Sequence, residues 1–453
     1  MNPLSSISPI DGRYRGEVQE LAAFFSEMAL MKYRLMIEVE YLIALSHERG
    51  VPEVALFNPE QTACLRAAYQ QFMLNDAERV KKIEAVTNHD VKAIEYFLQM
   101  KVKGTDLEKC TSFIHFALTS EDVNNLAYSL MVRDALHTVY LPSLRAVIRS
   151  IEEKALAYRE LPMLALTHGQ SATPTTLGKE FSVFVSRLSR QLEPLSAHQL
   201  QGKFGGATGT WAAHVVSYPN VDWIGFSKKF ISNLGLSPNL ITIQIEDHDS
   251  LAEVCHTMSR INTILIDFCR DMWSYISRGI IAQKPKEGEV GSSTMPHKIN
   301  PIQFENAEGN LGIANAYFSH LAAKLPISRM QRDLTDSTVL RNQGVPLAHS
   351  LLACKNICKG LERVAPNDIK LREELDTHPE VLAEAVQTVL RKHGQGDAYE
   401  QLKAATRGKD MTLEDLREFI SHLDISQSDK KRLMELKPTE YIGLAEEITK
   451  KNV

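Results

Sequence analysis

The sequence predicts an all-α chain in three parts, with a bundle of long helices at its centre. Three observations carry that expectation. Apolar residues recur at three- and four-residue steps nearly everywhere, as in Leu251, Val254, Met258, Ile261, Leu265, Phe268 and Met272, the period of a helix that buries one face. No proline falls between Pro238 and Pro285, so one long helix fits much of that interval. Alternating strand patterns are scarce, and the chain carries no internal repeat or low-complexity tract.

Residues 1–112 form the first part, several shorter helices broken at "RGVPE" and "FNPEQ". Residues 113–366 form the central part. Its long helices are Glu121 to about Ala157, bent near Pro142, Thr176 to about Leu192, the helix between Pro238 and Pro285, and Phe304 to about Leu325. Residues 367–453 form the third part, made of short charged units such as "LREEL" and "TLEDLREFISHL". The apolar arcs of the central helices are wide, which suits burial against other subunits.

Composition narrows the function classes. The 453 residues exceed one simple core, and 44% hydrophobic with 24% charged residues is ordinary for a soluble globular chain. A net charge of −5 argues against broad nucleic-acid binding while leaving room for a local cationic pocket. The N-terminal "MNPLSSISPIDGRY" lacks the basic start and apolar run of a signal peptide. No segment has the apolar length of a membrane span. The six cysteines include no C-x-x-C pair, which points to buried or incidental thiols rather than a zinc site or disulfides. A cytoplasmic protein with neither nucleic-acid nor membrane partners is expected.

One loop interrupts the helices with chemistry. "GSSTMPHKINP", Gly291–Pro301, gathers two serines, a histidine, a lysine and an asparagine. By composition alone it is an ordinary connection. It is not a phosphate-binding P-loop, because the glycine spacing and the Gly-Lys-Ser/Thr ending are absent. It is not a Ser-x-x-Lys nucleophile either, because Met295 and Pro296 stand three places after Ser292 and Ser293. The set suits removal of a proton from carbon beside a carboxylate: a serine as base, with Lys298, Asn300 and backbone N–H groups stabilising the charge that develops. A glycine-led loop is also suited to closing over substrate.

This stretch resembles the signature loop of the fumarase/aspartase superfamily, whose members release fumarate from succinyl-containing substrates. By that resemblance Ser292 is the general base, although the sequence itself does not rank it against Ser293, and Lys298 and Asn300 hold the substrate carboxylate. "LTHGQSATPTTLGKE" carries the T-H-G-Q pattern of the same superfamily. A lone histidine is more often structural, but here His168 matches the general acid that protonates the departing nitrogen, a role suited to an imidazole near neutral pH. Glu305, otherwise an ordinary acid in a helix's first turn, matches the carboxylate that orients it.

Further motifs narrow the substrate. In "SRMQRDLTDSTVLRN" the residues Arg332, Ser337 and Arg341 are spaced five and four apart. A charge run is usually a solvated face, but guanidinium forks plus a hydroxyl also suit a phosphate. The set resembles the segment with which the purine-nucleotide branch of the superfamily grips the phosphate, Arg329 adding its field. "DGRY" supplies Arg13 and Tyr14, "TNHDVKAIEYF" supplies His89 and Asp90, and "ITIQIEDHD" supplies Gln244, all matching substrate contacts of that branch. Thr119 and Ser120 in "HFALTSEDVNN" match its carboxylate-binding pair. Without the resemblance they are good helix N-caps, and a helix N-terminus also attracts carboxylates.

"GKFGGATGT" has glycines but neither the dinucleotide fingerprint nor a preceding strand. Glu246, Asp247, His248 and Asp249 form no persuasive metal set. His297 stands where fumarase-type loops have glycine and argininosuccinate lyases glutamine, while carboxymuconate cycloisomerases also have histidine. The alternatives are therefore another fumarate-releasing lyase, such a cycloisomerase, or a helical scaffold without activity. The resemblance implies no metal and no cofactor, a small-molecule purine nucleotide as substrate, and a homotetramer whose central helices build one shared core. Each active site is then assembled from three subunits.

Overall fold

The computed structural model describes residues 2–285, 295, 298–395, 397, 400 and 411–452. Ser292, Ser293 and His297 lie outside the described residues. Helix accounts for 67% of the chain and strand for only 6%, which makes the protein all-α. The helices that matter below are α1 (Glu27–Ser46), α2 (Pro59–Gln70), α3 (Leu74–Thr87), α4 (Asp90–Val102), α5 (Ser120–Ala135), α6 (Leu141–Ala157), α7 (Leu177–Ala197), α8 (Trp223–Asn233), α9 (Asp249–Ser277), α10 (Ile302–Lys324), α11 (Thr335–Leu340) and α12 (Gly344–Glu362). Shorter helices follow, among them α13 (Asp368–Asp376), α14 (Ala383–Lys392), α15 (Leu413–Ser421) and α16 (Gln427–Glu435). No described helix is long and apolar enough to cross a membrane.

Local chemistry sets the ends of these helices. Ser26 accepts from Ala29 N at 3.1 Å to start α1. Asn58 and Gln61 form a reciprocal capping box at α2, with Pro59 at the first position, where its missing N–H costs nothing. Thr119 and Asp122 form another at α5. The helix expected to run across Pro142 changes its hydrogen bonding just before that proline. Residues Leu136–Tyr140 make a π turn, with Leu141 N–H bonded to Leu136 O, and α6 begins directly after it. The wider turn falls where a proline ring would press on the preceding turn.

The chain divides into two compact units, one of residues 1–144, 191–263 and 309–353, the other of residues 145–190, 264–308 and 354–453. In the first, α1 buries Leu35, Ile37, Val39, Tyr41 and Leu42. Tyr41 meets Phe204 edge-on at 5.0 Å between centroids, and Phe204 meets Phe230 of α8 at 4.8 Å. Polar ties fix its bundle: Asn262 donates to Ser350 at 3.0 Å, and His349 Nδ1 lies 2.7 Å from Asn310 Oδ1.

The second unit is built round Phe268, whose ring lies 5.2 Å from Phe184 and 6.3 Å from Phe304. Gly360 faces Phe304 so closely that a Cβ there would come within 2.8 Å of the ring. A separate apolar cluster joins Leu375, Leu382, Val386, Leu390, Leu416, Ile420 and Leu433 of the C-terminal helices. The unit also holds two short antiparallel pairs, β1 (Pro162–Thr167) with β2 (Gln170–Thr176), and β5 (Ile281–Gln283) with β6 (Val364–Pro366). The first unit has one parallel pair, β3 (Gln201–Lys203) with β4 (Ser237–Asn239).

Candidate active site

All the residues expected to bind substrate belong to the first unit. His89 caps α4, its Nδ1 accepting from Lys92 N at 3.1 Å, which leaves the proton of the neutral ring on Nε2. Asp90, the next residue, accepts at one oxygen from Arg34 Nη2 at 2.8 Å and Arg341 Nη2 at 3.1 Å. Burial alone would raise the Asp90 pKa. The Arg34 charge, the Val91 N–H and Arg341 outweigh it and hold the carboxyl below its ordinary range. Arg341 also pairs with Glu27 at 3.2 Å.

Arg332 precedes α11 and pairs at 3.0 Å with Glu121, the residue after Ser120. Glu121 is buried, and desolvation raises its pKa although Arg332 and Asn124 pull it down. Ser337 sits half-buried in α11, its N–H donating to Asp336 Oδ1 at 2.6 Å. Arg329 is exposed and reaches Asp333 at 3.5 Å. Gln244 donates to the Ala207 carbonyl at 3.0 Å. Exposed Arg13 lies with its guanidinium carbon 6.0 Å from the centre of the Tyr14 ring.

The second unit holds the residues expected to carry the chemistry. His168 and Gly169 are the two central residues of the β1–β2 hairpin, with φ of 54° and 72°. Two consecutive left-handed residues make the turn that matches the twist of paired strands. His168 therefore stands exposed at a hairpin tip and makes no hydrogen bond among the described residues. Lys298 is exposed just before α10, its N–H donating to Met295 O at 3.1 Å, and Gln283 fastens Ile299 O at 2.8 Å. Half-buried Asn300 follows two residues later. Glu305 lies in the first turn of α10 and accepts from Trp273 Nε1 at 3.2 Å.

Sequence reasoning missed three charged or titratable groups of the first unit, two of them buried and His115 half-buried. Arg34, 2% exposed, donates Nε to Asn124 Oδ1 at 2.8 Å. Lys203, in "GKFGGATGT", pairs with Asp122 at 2.8 Å. His115 lies 2.6 Å from Glu38. The signal was a charged residue on an otherwise apolar helix face, as with Arg34 and Glu38 among Leu30, Met31, Leu35 and Leu42. Nearby, burial drives His248 down to about 4 and Glu246 up to about 7. Among the described residues, no group of three or more His, Cys, Asp or Glu side chains is placed to hold a metal ion.

All-α architecture, a T-H-G-Q hairpin and a lysine–asparagine pair ahead of a long helix define a lyase of the fumarase/aspartase class. Residues 12–314 match the family model described as lyase, and residues 328–442 match that of the adenylosuccinate lyase C-terminal region. The chain is 48% identical over 452 residues to the adenylosuccinate lyase of Haemophilus influenzae, covering 100% of this chain and 99% of that protein. It is 47% identical to that of Escherichia coli K12, covering 98% of each, and 49% identical to that of Dictyostelium discoideum, covering 98% and 97%. The chain belongs to the adenylosuccinate lyase family and is an enzyme.

Solved structures share the fold at greater distance. Fumarate lyase from Mesorhizobium sp. BNC1 superposes with a TM-score of 0.75 at 20% identity, covering 96% of this chain and 97% of that one. The 3-carboxy-cis,cis-muconate lactonizing enzyme from Pseudomonas putida superposes with a TM-score of 0.74 at 21% identity, covering 97% of each.

Proposed function

We propose that this chain performs the elimination for which its family is named, in purine nucleotide biosynthesis. It breaks the bond between a purine-pathway nitrogen and a succinyl carbon. Adenylosuccinate gives AMP and fumarate, and succinyl-aminoimidazole carboxamide ribotide gives the corresponding amide and fumarate. The observation that carries this reading is the pairing of Arg332 with Glu121 at 3.0 Å, directly beside Thr119 and Ser120. It sets a guanidinium of the phosphate-type set beside a helix N-terminus suited to an anion.

Ser292 removes a proton from the methylene carbon beside the succinyl carboxylate. Lys298 and Asn300 stabilise the charge that collects on that carboxylate. The electron pair then forms the double bond of fumarate, the carbon–nitrogen bond breaks, and the nitrogen takes a proton from His168, which Glu305 orients. Thr119, Ser120 and Gln244 hold the succinyl end. Arg13, Tyr14, His89 and Asp90 contact the nucleotide, and Arg332, Ser337 and Arg341 hold its phosphate.

The enzyme works as a homotetramer in the cytoplasm, with each site drawn from three subunits. Its parts are an N-terminal region to residue 112, a central bundle to 366 and a C-terminal region. The exposed hairpin tip of His168 supports a shared site, because a group meant for a neighbouring subunit is exposed on the isolated chain.

The test is ultraviolet detection of AMP and fumarate from adenylosuccinate, with argininosuccinate and carboxymuconate as controls. Turnover of adenylosuccinate alone is expected. Activity only on a control would overturn the substrate, and silence on all three from a folded tetramer would favour a scaffold.

A further inference from the structure

We propose that Arg34 is a positioning residue for the phosphate site, the group that fixes Arg332 and Arg341 relative to one another. The inference rests on the reading of Arg332, Ser337 and Arg341 as the phosphate grip. Its basis is an unbroken series of contacts within the first unit. Arg341 Nη2 donates to Asp90 Oδ2 at 3.1 Å, and Arg34 Nη2 donates to the same oxygen at 2.8 Å. Arg34 Nε donates to Asn124 Oδ1 at 2.8 Å, and Asn124 Nδ2 donates to Glu121 Oε1 at 2.9 Å. Arg332 Nη2 closes the series on that same Glu121 oxygen at 3.0 Å. The two guanidiniums of the grip are thus the two ends of one relay, and Arg34 is its middle.

Physical chemistry explains why the middle is an arginine. It must donate in two fixed directions at once, to the first residue of α4 and to the second turn of α5. A guanidinium holds its donors in a rigid fork, whereas an ammonium is a point charge on a flexible stem. Arg34 is 2% exposed, so its charge has to be met by a carboxylate, and Asp90 meets it.

The charge arrangement gives Arg34 its consequence for binding. Asp90 divides its charge between Arg34 and Arg341. Without Arg34, its whole attraction falls on Arg341, which Glu27 already holds from the other side at 3.2 Å. Arg341 is then tied more firmly into the protein and is less free to meet an anion. At the opposite end the Asn124 amide loses its anchor, and with it the orientation of Glu121. Glu121 Oε2 and Arg332 Nε are buried with no hydrogen-bond partner among the described residues. Arg332 therefore retains an unpartnered donor whose direction the relay sets.

The test compares Arg34→Met, Arg34→Lys and Asn124→Ala with wild type, using product inhibition and two substrates. One substrate is adenylosuccinate and the other is succinyladenosine, the same molecule without phosphate. For Arg34→Met, inhibition by AMP is expected to weaken about 10- to 100-fold, the scale of one lost hydrogen bond to a charged group. KM for adenylosuccinate rises in step, and kcat changes by less than about threefold, as for lost uniform binding. Inhibition by fumarate and kcat/KM for succinyladenosine stay at wild-type values, which a general loss of structure would not allow. Arg34→Lys recovers part of the loss at most, and Asn124→Ala, which spares the Arg34–Asp90 pair, weakens AMP in the same direction by a smaller factor.

Arg341→Met is the control for the underlying reading. If it weakens inhibition by AMP no more than inhibition by adenosine, the phosphate grip itself is wrong. If it weakens AMP selectively, but Arg34→Met and Asn124→Ala leave AMP inhibition unchanged or weaken AMP and fumarate equally, the role of Arg34 is overturned. Should Arg34→Met not fold, Arg34→Lys and Asn124→Ala decide by the same criterion.

Discussion

Lys203 Nζ lies 2.8 Å from Asp122 Oδ1, and both side chains are fully buried. Asp122 also accepts from Thr119 N at 2.8 Å, Gly205 N at 2.9 Å and Gly206 N at 3.1 Å, while Lys203 donates to Gly206 O at 2.6 Å. The loop "GKFGGATGT" thus spends its N–H groups on an anion of its own chain, and that anion caps the helix presenting Thr119 and Ser120. The glycines are a cradle for Asp122 rather than for a nucleotide.

Asp122→Asn should therefore cost about 3–5 kcal/mol, because it strands the Lys203 charge without its partner. The double variant Asp122→Asn, Lys203→Met should recover much of that loss, since neither buried charge then remains. Denaturant midpoints at one fixed protein concentration read both effects. A single variant as stable as wild type would mean that the pair holds nothing together.

His115 makes stability depend on pH. Burial is the strongest influence on its pKa and lowers it, but the Glu38 charge, the hydrogen bond to Glu38, Glu95 and Asp122 together win, and the net shift is upward. A group whose folded pKa lies above its unfolded value of about 6.5 stabilises the fold fully below that value. The contribution is lost as pH rises through the folded pKa. The wild-type denaturation midpoint should fall as pH rises from about 6.5 through the raised folded value, and His115→Asn should flatten that part of the slope. At the acid end of that range the variant should lose about 1.5–3 kcal/mol, the worth of a hydrogen bond to a charged group. Parallel slopes in the two proteins would remove His115 as the cause.

The hairpin at His168 separates turn geometry from chemistry. Asparagine tolerates left-handed backbone, so His168→Asn should keep the hairpin and the melting temperature. Its kcat should fall by roughly 10²–10⁴, the range for a lost general acid. Gly169→Ala should do the opposite, costing about 1–2 kcal/mol of stability at a φ of 72° while retaining the acid. Circular dichroism melts beside kcat values for the two variants make the comparison. Near wild-type turnover in His168→Asn would take the proton-donating role from His168.

Helix spacing was legible in the sequence because it follows from one-dimensional periodicity, and α9 and α10 fall where it puts them. Sequence periodicity could not find β1 and β2, whose "PMLALT" and "QSATPTT" offer too few alternations to stand out. Pro142 marked an irregularity in the helix, but the π turn precedes it, and a proline does not specify which local geometry relieves it. The candidate site residues were legible through unusual motifs. Arg34 was not, because its partners Asp90 and Asn124 lie 56 and 90 residues away and meet it only through packing of α1, α4 and α5. A charged residue amid apolar neighbours could have flagged it, though not named its contacts.

His168, Lys298 and Glu305 belong to one unit, yet no hydrogen bond or ion pair joins any two of them among the described residues, and Glu305 is engaged by Trp273 at 3.2 Å. That arrangement suits a site completed by neighbouring subunits. Ser292→Ala and His168→Ala tetramers, each inactive alone, should regain activity when their subunits are exchanged. If every site takes Ser292 from one subunit and His168 from another, random mixing leaves about a quarter of sites with both native groups. If both come from the same subunit, no site in any mixed tetramer is complete and activity stays at the mutant level. Verified mixed tetramers without recovered activity would assign both residues to one chain.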